Sequence, residues 1–275
     1  MGIHFKQGFT IIETMLVLAV TGVLVATLLV GVGSSINAQR YKDSVSTFAS
    51  TLQSQYAQVN NVTNVRDTNA TCSRSAVQVD VASGVAPGQS DCVLMGRYVT
   101  VVNDTIHAAS ILGYTDPNVA HKNATSDITD VTKYYQLGVS QSSVVTSTLE
   151  WGAVIAWPKA GSVDVPTSPI PSTRSIGILI IQSPLSGTAY TFTSNTVYDM
   201  NTVSSADLMG MMLTTNTVPG QQQRFICIDP SPGSTVTIIP EKLSVSIGQT
   251  AADSSAIELR SDNTTASVGG DTKCQ

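Results

Sequence analysis

Charge is scarce in this 275-residue chain: Asp, Glu, Lys and Arg together make up 12% of the residues, and the formal net charge is −5. No run of five or more basic residues occurs, so the sequence has no electrostatic footprint for nucleic acid. A solvent-facing domain with so few charges must cover its surface with other polar groups, and Ser, Thr, Asn and Gln are abundant beyond residue 60. This composition is typical of extracellular strands and turns, and it argues against a cytosolic helical enzyme.

Residue types that build catalytic or metal sites are also few. Histidine occurs three times, at His4, His107 and His121. No nucleophile elbow, no phosphate-binding loop and no pair of histidines at helical spacing is present. Aspartates stand beside turn residues, where Asp is common, and a calcium site of loop oxygens is an alternative without EF-hand spacing. We therefore expect no catalytic residue, no metal site and no cofactor.

A long uncharged segment lies near the N-terminus. No charged residue occurs from Thr14 to Gln39, and the core reads TMLVLAVTGVLVATLLVGVG. Twenty such residues rise about 30 Å as a helix, enough to cross a bilayer. Lys6 precedes the segment, so the positive-inside tendency predicts a cytoplasmic N-terminus. A cleaved signal peptide or a plain anchor is the alternative, but a signal h-region has about 7–15 residues, and Glu13 at the leading edge is costly in lipid.

A short motif precedes this run: Gly8-Phe9-Thr10-Ile11-Ile12-Glu13. It resembles the processing site of type IV prepilins and of type II secretion pseudopilins. The resemblance implies a leader peptide over residues 1–8, cleavage after Gly8 by prepilin peptidase, and methylation of the new N-terminal amine of Phe9. It implies other pilin subunits, an inner-membrane platform protein and an assembly ATPase as partners. The expected location is the inner membrane, as a single-pass protein, and then an extracellular or periplasmic filament.

Glu13 has a physical role in that setting. Cleavage creates an α-amine at the membrane end of an apolar helix, and this amine or the Glu13 carboxylate would cost several kcal/mol if it were buried alone. Pairing between neighbouring subunits neutralises both charges and sets the helices one step out of register. We therefore expect Glu13 to register the subunits during assembly.

The helix is expected to continue to about Asn60, because the first proline is Pro87 and an apolar stripe follows the membrane segment. Spacings of three and four residues place the stripe on one helical face, which needs a sheet to pack against. We divide the chain into a leader (1–8), a membrane and assembly half of the helix (9–33), an amphipathic half (34–60) and an extracytoplasmic β-rich domain (61–275). The stripe consists of Tyr41, Val45, Phe48, Leu52, Tyr56 and Val59.

Beyond Asn60, short β-like runs alternate with turns rich in Gly, Pro, Ser and Asn. One short helix is predicted at Ala206–Leu213. A long helix packed on an antiparallel sheet gives an α+β, pilin-like fold. The predicted strands are Ala76–Val81, Val93–Val102, Val144–Trp157 with a bend at Gly152, Ile176–Gln182, Ala189–Thr193, Phe225–Ile228, Val236–Ile239 and Ile257–Leu259.

All four cysteines, Cys72, Cys92, Cys227 and Cys274, follow the membrane segment. An even number on one side of a membrane predicts two disulfides in an oxidising compartment. Three pairings are possible, and we favour Cys72–Cys92 with Cys227–Cys274, because each pair closes a local loop. The alternative zinc site is disfavoured, since no two cysteines have the two-residue spacing of structural zinc sites and no His is close.

The length of the chain resembles a minor pilin or minor pseudopilin, because major subunits of the family are usually shorter. A fainter similarity to the minor group lies in residues 44–61 and Arg224–Asp229. One hypothesis is a structural subunit that primes, caps or modifies a pilus or pseudopilus; the alternative is an adhesin or binding subunit displayed on it for surface or DNA capture. The few aromatics favour the structural role, and the tail Arg260–Gln275 lacks a basic motif for DNA. Pilus, competence and secretion machines are not distinguished.

Overall fold

The computed structural model describes residues 10–60, 71–72, 77–78, 92–115, 126–156, 175–194, 196–215, 223–229, 243–248 and 257–261. Within them, the helices are α1 (Ile11–Asn60), α2 (Asp127–Tyr134) and α3 (Ser205–Thr215), and 3₁₀ turns span Gln141–Ser143 and Glu150–Gly152. The strands are β1 (Thr71–Cys72), β2 (Val77–Gln78), β3 (Val93–Val102), β4 (Thr105–Thr115), β5 (Tyr135–Val139), β6 (Val145–Thr148), β7 (Val154–Ala156), β8 (Ser175–Gln182), β9 (Ala189–Ser194), β10 (Gln223–Asp229), β11 (Leu243–Gly248) and β12 (Ile257–Ser261).

Helix α1 is continuous over 50 residues and therefore about 75 Å long. Its large apolar side chains are exposed from Ile11 to Ile36, and the stripe on its second half is buried. The exposed fraction of Val45, Phe48 and Leu52 is 0%. The predicted long helix with an amphipathic second half is thus confirmed, and its first half is long and apolar enough to cross a membrane.

The larger sheet has the strand order β5-β4-β3-β8-β9, and β6 pairs with the other half of β4. Every pair in it is antiparallel. β3 and β4 form a hairpin closed by Asn103 and Asp104, in which Asn103 has a φ of 54°. This left-handed conformation suits a two-residue hairpin turn, and Asn tolerates it better than most residues.

Both faces of the larger sheet are covered, which explains the continuous apolar run of β8. Ile176, Ile178 and Ile180 join the core formed with α1, whereas Leu179 and Ile181 join a second core under α2 and α3. Successive side chains of a strand point to opposite faces, so a strand buried on both faces needs apolar residues at consecutive positions. The interpretation of this run as a buried strand is confirmed.

The smaller sheet has the order β12-β11-β10-β7, with antiparallel pairs throughout. It packs on the same side of the larger sheet as α1, because Ile155, Ile226, Ile228, Val245 and Ile247 belong to the core that contains the helical stripe. The second half of α1 therefore lies against both sheets. This arrangement confirms the expected α+β layout of a long helix and antiparallel sheet.

The segment from 145 to 156 crosses from the larger sheet to the smaller one. β6 pairs with β4, and β7 pairs with β10. Between them, Trp151 and Gly152 have φ values of 60° and 69°. The predicted bend at Gly152 is confirmed, but the prediction of one strand through this segment is wrong. The first strand ends at Thr148, and two consecutive left-handed residues then redirect the chain toward β7.

Most of the other predicted strands and the predicted short helix are present in the structure, and several observed elements were not predicted. The strands near residues 77, 93, 176, 189, 225 and 257 and the helix near residue 206 are confirmed, although β2 is only Val77–Gln78. Val236–Ile239 lies outside the described residues. Five elements were not predicted from the sequence: strands β1, β4, β5 and β11 and helix α2.

A close approach of two strands at Gly96 yields a first prediction. A Cβ at this position would overlap the backbone oxygen of Ile180 on β8, and a backbone atom inside a sheet cannot move aside cheaply. We expect Gly96→Ala to lower the free energy of unfolding by about 2 kcal/mol or more. Urea unfolding of the full chain in detergent, followed by tryptophan fluorescence, measures the change.

Gly210→Ala is the matched control. A Cβ at Gly210 meets nothing within 4 Å. The substitution should raise helix propensity in α3 and leave stability equal or higher by about 0.5–1 kcal/mol. Equal unfolding midpoints for the two variants would contradict the predicted clash.

Candidate functional site

The processing motif lies at the start of α1. Gly8 and Phe9 are outside the described residues, and the description begins at Thr10. The hydroxyl oxygen of Thr10 accepts the backbone N–H of Glu13 at 3.3 Å, so Thr10 caps the helix. Threonine followed three positions later by glutamate is the spacing of a capping box, a signal that the sequence analysis overlooked. Glu13 occupies the first turn, where the helix dipole favours a negative charge.

The first half of α1 presents apolar side chains on all sides. In its most apolar 18-residue window, no residue is buried inside the molecule. The hydroxyls of Thr14, Thr21 and Thr27 donate to backbone carbonyls three or four residues earlier, at 2.8–3.1 Å. Polar groups inside this segment are therefore satisfied locally, as an environment without water requires. An all-round apolar helix is suited to a membrane or to packing against other helices.

Tyr41 anchors α1 to the smaller sheet just beyond this segment. Its buried hydroxyl donates to the carbonyl oxygen of Ile228 at 2.8 Å and accepts the backbone N–H of Leu243 at 2.7 Å. The two partners lie on the neighbouring strands β10 and β11. One side chain therefore joins the helix to two strands, where the helix first meets the outer domain.

Two further polar contacts fix α1 to the larger sheet. The buried Arg97 of β3 donates through Nε to Oε1 of Gln55 at 3.0 Å, and through Nη1 to the hydroxyl of Ser110 at 2.8 Å. Burial lowers the pKa of Arg97. Near the end of the helix, the Tyr56 hydroxyl pairs with the Thr191 hydroxyl on β9. These contacts define how α1 is rotated about its own axis relative to the sheet.

Three side chains of the types used in catalysis or metal binding have structural partners. His107 Nδ1 pairs with the Thr146 hydroxyl at 2.9 Å and so joins β4 to β6. Asp207 accepts the hydroxyl and the backbone N–H of Ser204 at the start of α3, and these hydrogen bonds hold the pKa of Asp207 below its usual value. Asp199 accepts the N–H of Asn201 in a turn. Among the described residues, no group of three His, Cys, Asp or Glu side chains could hold a metal.

Three of the four cysteines lie among the described residues, and all three are disulfide-bonded. Cys72 of β1 forms a disulfide with the buried Cys92, which ties the small β1-β2 ribbon to the start of β3. Cys227 lies in β10 and is also disulfide-bonded. Cys274 lies outside the described residues, so the pairing Cys227–Cys274 stays a prediction.

Comparison with protein families gives one match. Residues 4–29 match the family model described as the prokaryotic N-terminal methylation motif. The match includes Gly8, Phe9 and Glu13 and most of the apolar segment, and it ends before the outer domain. A search of curated proteins and a search of solved structures each find no match. The chain thus carries the prepilin motif of type IV pilins and pseudopilins, and this resemblance, expected from the sequence, is confirmed.

The buried tyrosine at the end of α1 yields a prediction about alkaline pH. Burial raises the pKa of Tyr56 from 10.0 to about 12. Between these values the unfolded chain loses the proton while the folded chain keeps it, so the free energy of unfolding falls as the pH rises. This difference in pKa contributes about 3 kcal/mol to the free energy of unfolding, a contribution that is fully present below pH 10 and lost by about pH 12.

Urea unfolding of the full chain at a series of pH values tests this dependence. Tyr56→Phe should be less stable than the parent at neutral pH, because the Thr191 hydroxyl loses its partner, and its stability should fall less steeply above pH 10. Tyr98→Phe is a second variant with the same expected change in pH dependence, since burial also raises the pKa of Tyr98 to about 12. Parallel pH curves for the parent and Tyr56→Phe would contradict the assignment.

Proposed function

We propose that the chain is a minor type IV pilin-like subunit that prepilin peptidase cleaves after Gly8 and methylates at Phe9. The N-terminal methylation motif, continued without a break into an exposed apolar helix, is the observation that carries the proposal. The subunit is held in the inner membrane by residues 9–33, with residues 61–275 outside the cytoplasm. From there it is assembled into a pilus or pseudopilus by a platform protein and an assembly ATPase.

The apolar half of α1 is the proposed assembly surface. Its large side chains have no cover within the molecule, and most of them are more than half exposed. Lipid covers them before assembly, and the equivalent helices of neighbouring subunits cover them in the filament. The exposed surface therefore supports a transfer from one apolar environment to another, which needs no refolding of the outer domain.

Glu13 is the proposed registration residue. It is the one charged side chain of α1 before Arg40, and it is exposed. Cleavage after Gly8 would place a positive α-amine within a few residues of this carboxylate. In an apolar bundle each charge needs the other, because an unpaired charge is costly to desolvate. Pairing across subunits sets a fixed axial offset between neighbouring helices.

The outer domain supports a structural rather than an enzymatic role. Its described polar side chains cap helices, join strands and fix α1, as Asp207, His107 and Arg97 illustrate. Two sheets around the end of one helix form a larger domain than the assembly helix alone requires. We assign it a priming, capping or tip function within the filament. No described feature of this domain favours the adhesin alternative.

The cleavage site can be tested directly. Co-expression with prepilin peptidase should give a mature chain that begins at methylated Phe9, and intact-mass and peptide mass spectrometry identify the new terminus. Gly8→Val should abolish cleavage, whereas Gly2→Val, within the same leader, should not. A terminus near Gly33 or Ala38 would indicate an ordinary signal peptide, and an uncut chain would indicate a plain membrane anchor; either result would refute the proposal.

Glu13 can be tested separately from folding. We expect Glu13→Ala and Glu13→Gln to reduce incorporation into sheared filaments by about tenfold or more, since losing about 1.4 kcal/mol of pairing already gives that factor. Immunoblotting of the filament and membrane fractions measures incorporation. Glu150→Ala, at an exposed position of the outer domain, is the matched control and should assemble normally. Normal assembly of Glu13→Ala would remove the registration role, and altered urea unfolding of this variant would show a folding defect instead.

A further inference from the structure

The loop at Glu150–Gly152 presents an exposed tryptophan beside the point where α1 leaves its apolar segment. Trp151 is 56% exposed. The guanidinium carbon of Arg40 on α1 lies 4.7 Å from the centroid of the Trp151 ring, within the range of a cation–π contact. The indole is thus exposed to solvent and is held in place by the helix.

The backbone of this loop has an uncommon conformation and is fixed by hydrogen bonds on both sides. Trp151 has a φ of 60°, a left-handed conformation that bulky residues rarely adopt. Hydrogen bonds hold the loop on both sides: the N–H of Leu149 donates to Asp104 at 2.7 Å, and the N–H of Ile155 donates to Asn103 at 3.1 Å. The β3-β4 turn therefore fixes the loop that displays Trp151. Strained backbone that is fixed in this way often marks a functional contact.

The position of the loop along α1, just beyond the apolar segment, indicates what Trp151 could contact. Arg40 lies one turn beyond Ile36, the last exposed large apolar residue of the segment, and on the same helical face. About twenty residues that end at Ile36 cross the roughly 30 Å of hydrocarbon, so the outer edge of the hydrocarbon lies three residues beyond residue 33, where the membrane half of α1 was taken to end. From Ile36 to Arg40, four residues of helix rise about 6 Å, and the head-group layer is about 5–8 Å thick on each side. When the apolar segment spans a membrane, Arg40 and Trp151 lie at head-group depth. Tryptophan is enriched at this depth, because its ring is apolar and its N–H donates a hydrogen bond.

We propose that Trp151 and Arg40 form a lipid head-group contact that seats the outer domain on the membrane surface before assembly. The contact rests on the proposed membrane-anchored subunit and adds a second attachment to it. The Trp151 ring lies among the lipid carbonyls, and the Arg40 guanidinium both stacks on the ring and donates to lipid phosphate. The outer domain is thereby oriented relative to the bilayer, and the contact is broken when the subunit enters the filament.

Net charge near the loop does not explain such binding. Arg40 and Lys42 are followed on α1 by Asp43, while Glu150 lies in the loop itself and Asp104 in the turn that holds it. The surface is therefore no basic patch for anionic lipid. We expect the contact to form on zwitterionic lipid and to change little with salt, unlike a purely electrostatic attachment.

Depth-dependent fluorescence quenching tests the contact in the full chain. Trp157→Phe leaves Trp151 as the single tryptophan, since the chain has two. The protein is reconstituted into vesicles of zwitterionic phosphatidylcholine, with nitroxides at the head group or deep in the acyl chain. Head-group nitroxide should quench Trp151 about twofold more strongly than deep nitroxide. Full access of aqueous iodide to Trp151 in vesicles, with no nitroxide quenching, would overturn the proposal.

Two matched variants separate this contact from the membrane anchor and from general charge. Val20→Trp, made in a chain without the other tryptophans, reports insertion of α1 and should be quenched by deep nitroxide. If the Val20→Trp reporter is quenched and Trp151 is not, the head-group contact alone is refuted. If neither tryptophan is quenched, the membrane-anchored subunit is refuted as well. Arg40→Gln should reduce head-group quenching of Trp151, and Lys42→Gln should not. Equal loss in both, or shielding of Trp151 from iodide only in assembled filaments, would also overturn the contact.

Discussion

A single helix has to satisfy two environments, and the rest of the molecule is arranged around that constraint. Over its first half α1 is apolar on every side and has no cover, whereas over its second half one stripe is buried against two sheets. An uninterrupted helix cannot hide its first half by folding back on the domain. The exposed half must therefore find its cover outside the chain, while the buried half determines where the sheets lie. The proposed membrane anchoring and the proposed assembly both depend on this division.

The polar contacts along the buried half give the helix a unique setting. Apolar packing alone tolerates rotation and sliding better than hydrogen bonds do, because hydrogen bonds require partners at fixed positions. Tyr41 binds two strands of the smaller sheet, and Arg97 and Thr191 bind Gln55 and Tyr56 from the larger one. Helix rotation is thereby fixed relative to the outer domain. In the proposed filament this relation matters, since the face that α1 offers to its neighbours would determine where each outer domain is placed.

The sequence predicted those elements whose pattern follows directly from burial. The stripe from Tyr41 to Val59 has helical spacing, and β8 is a continuous apolar run because both of its faces are covered. β4 was missed because Ala, Ser and His interrupt its apolar residues, although the Asn103-Asp104 turn after β3 signalled a hairpin. The Thr10 cap was readable from its spacing to Glu13, but the sheet crossing at Trp151 was not, since left-handed backbone at a tryptophan has no local sequence signal.

The same constraint explains why the N-terminal segment resembles a known family whereas the outer domain does not identify a particular pilus or secretion system. In the proposed function residues 4–29 serve a peptidase, a membrane and neighbouring helices together, and these are the residues that match a family model. The outer domain has only to bury the stripe of α1 and satisfy its own backbone. Many antiparallel sheets can do this with different residues, strand lengths and loops. Similarity there is consequently not required by folding, and the proposed head-group contact at Trp151 lies in this less restricted part of the chain.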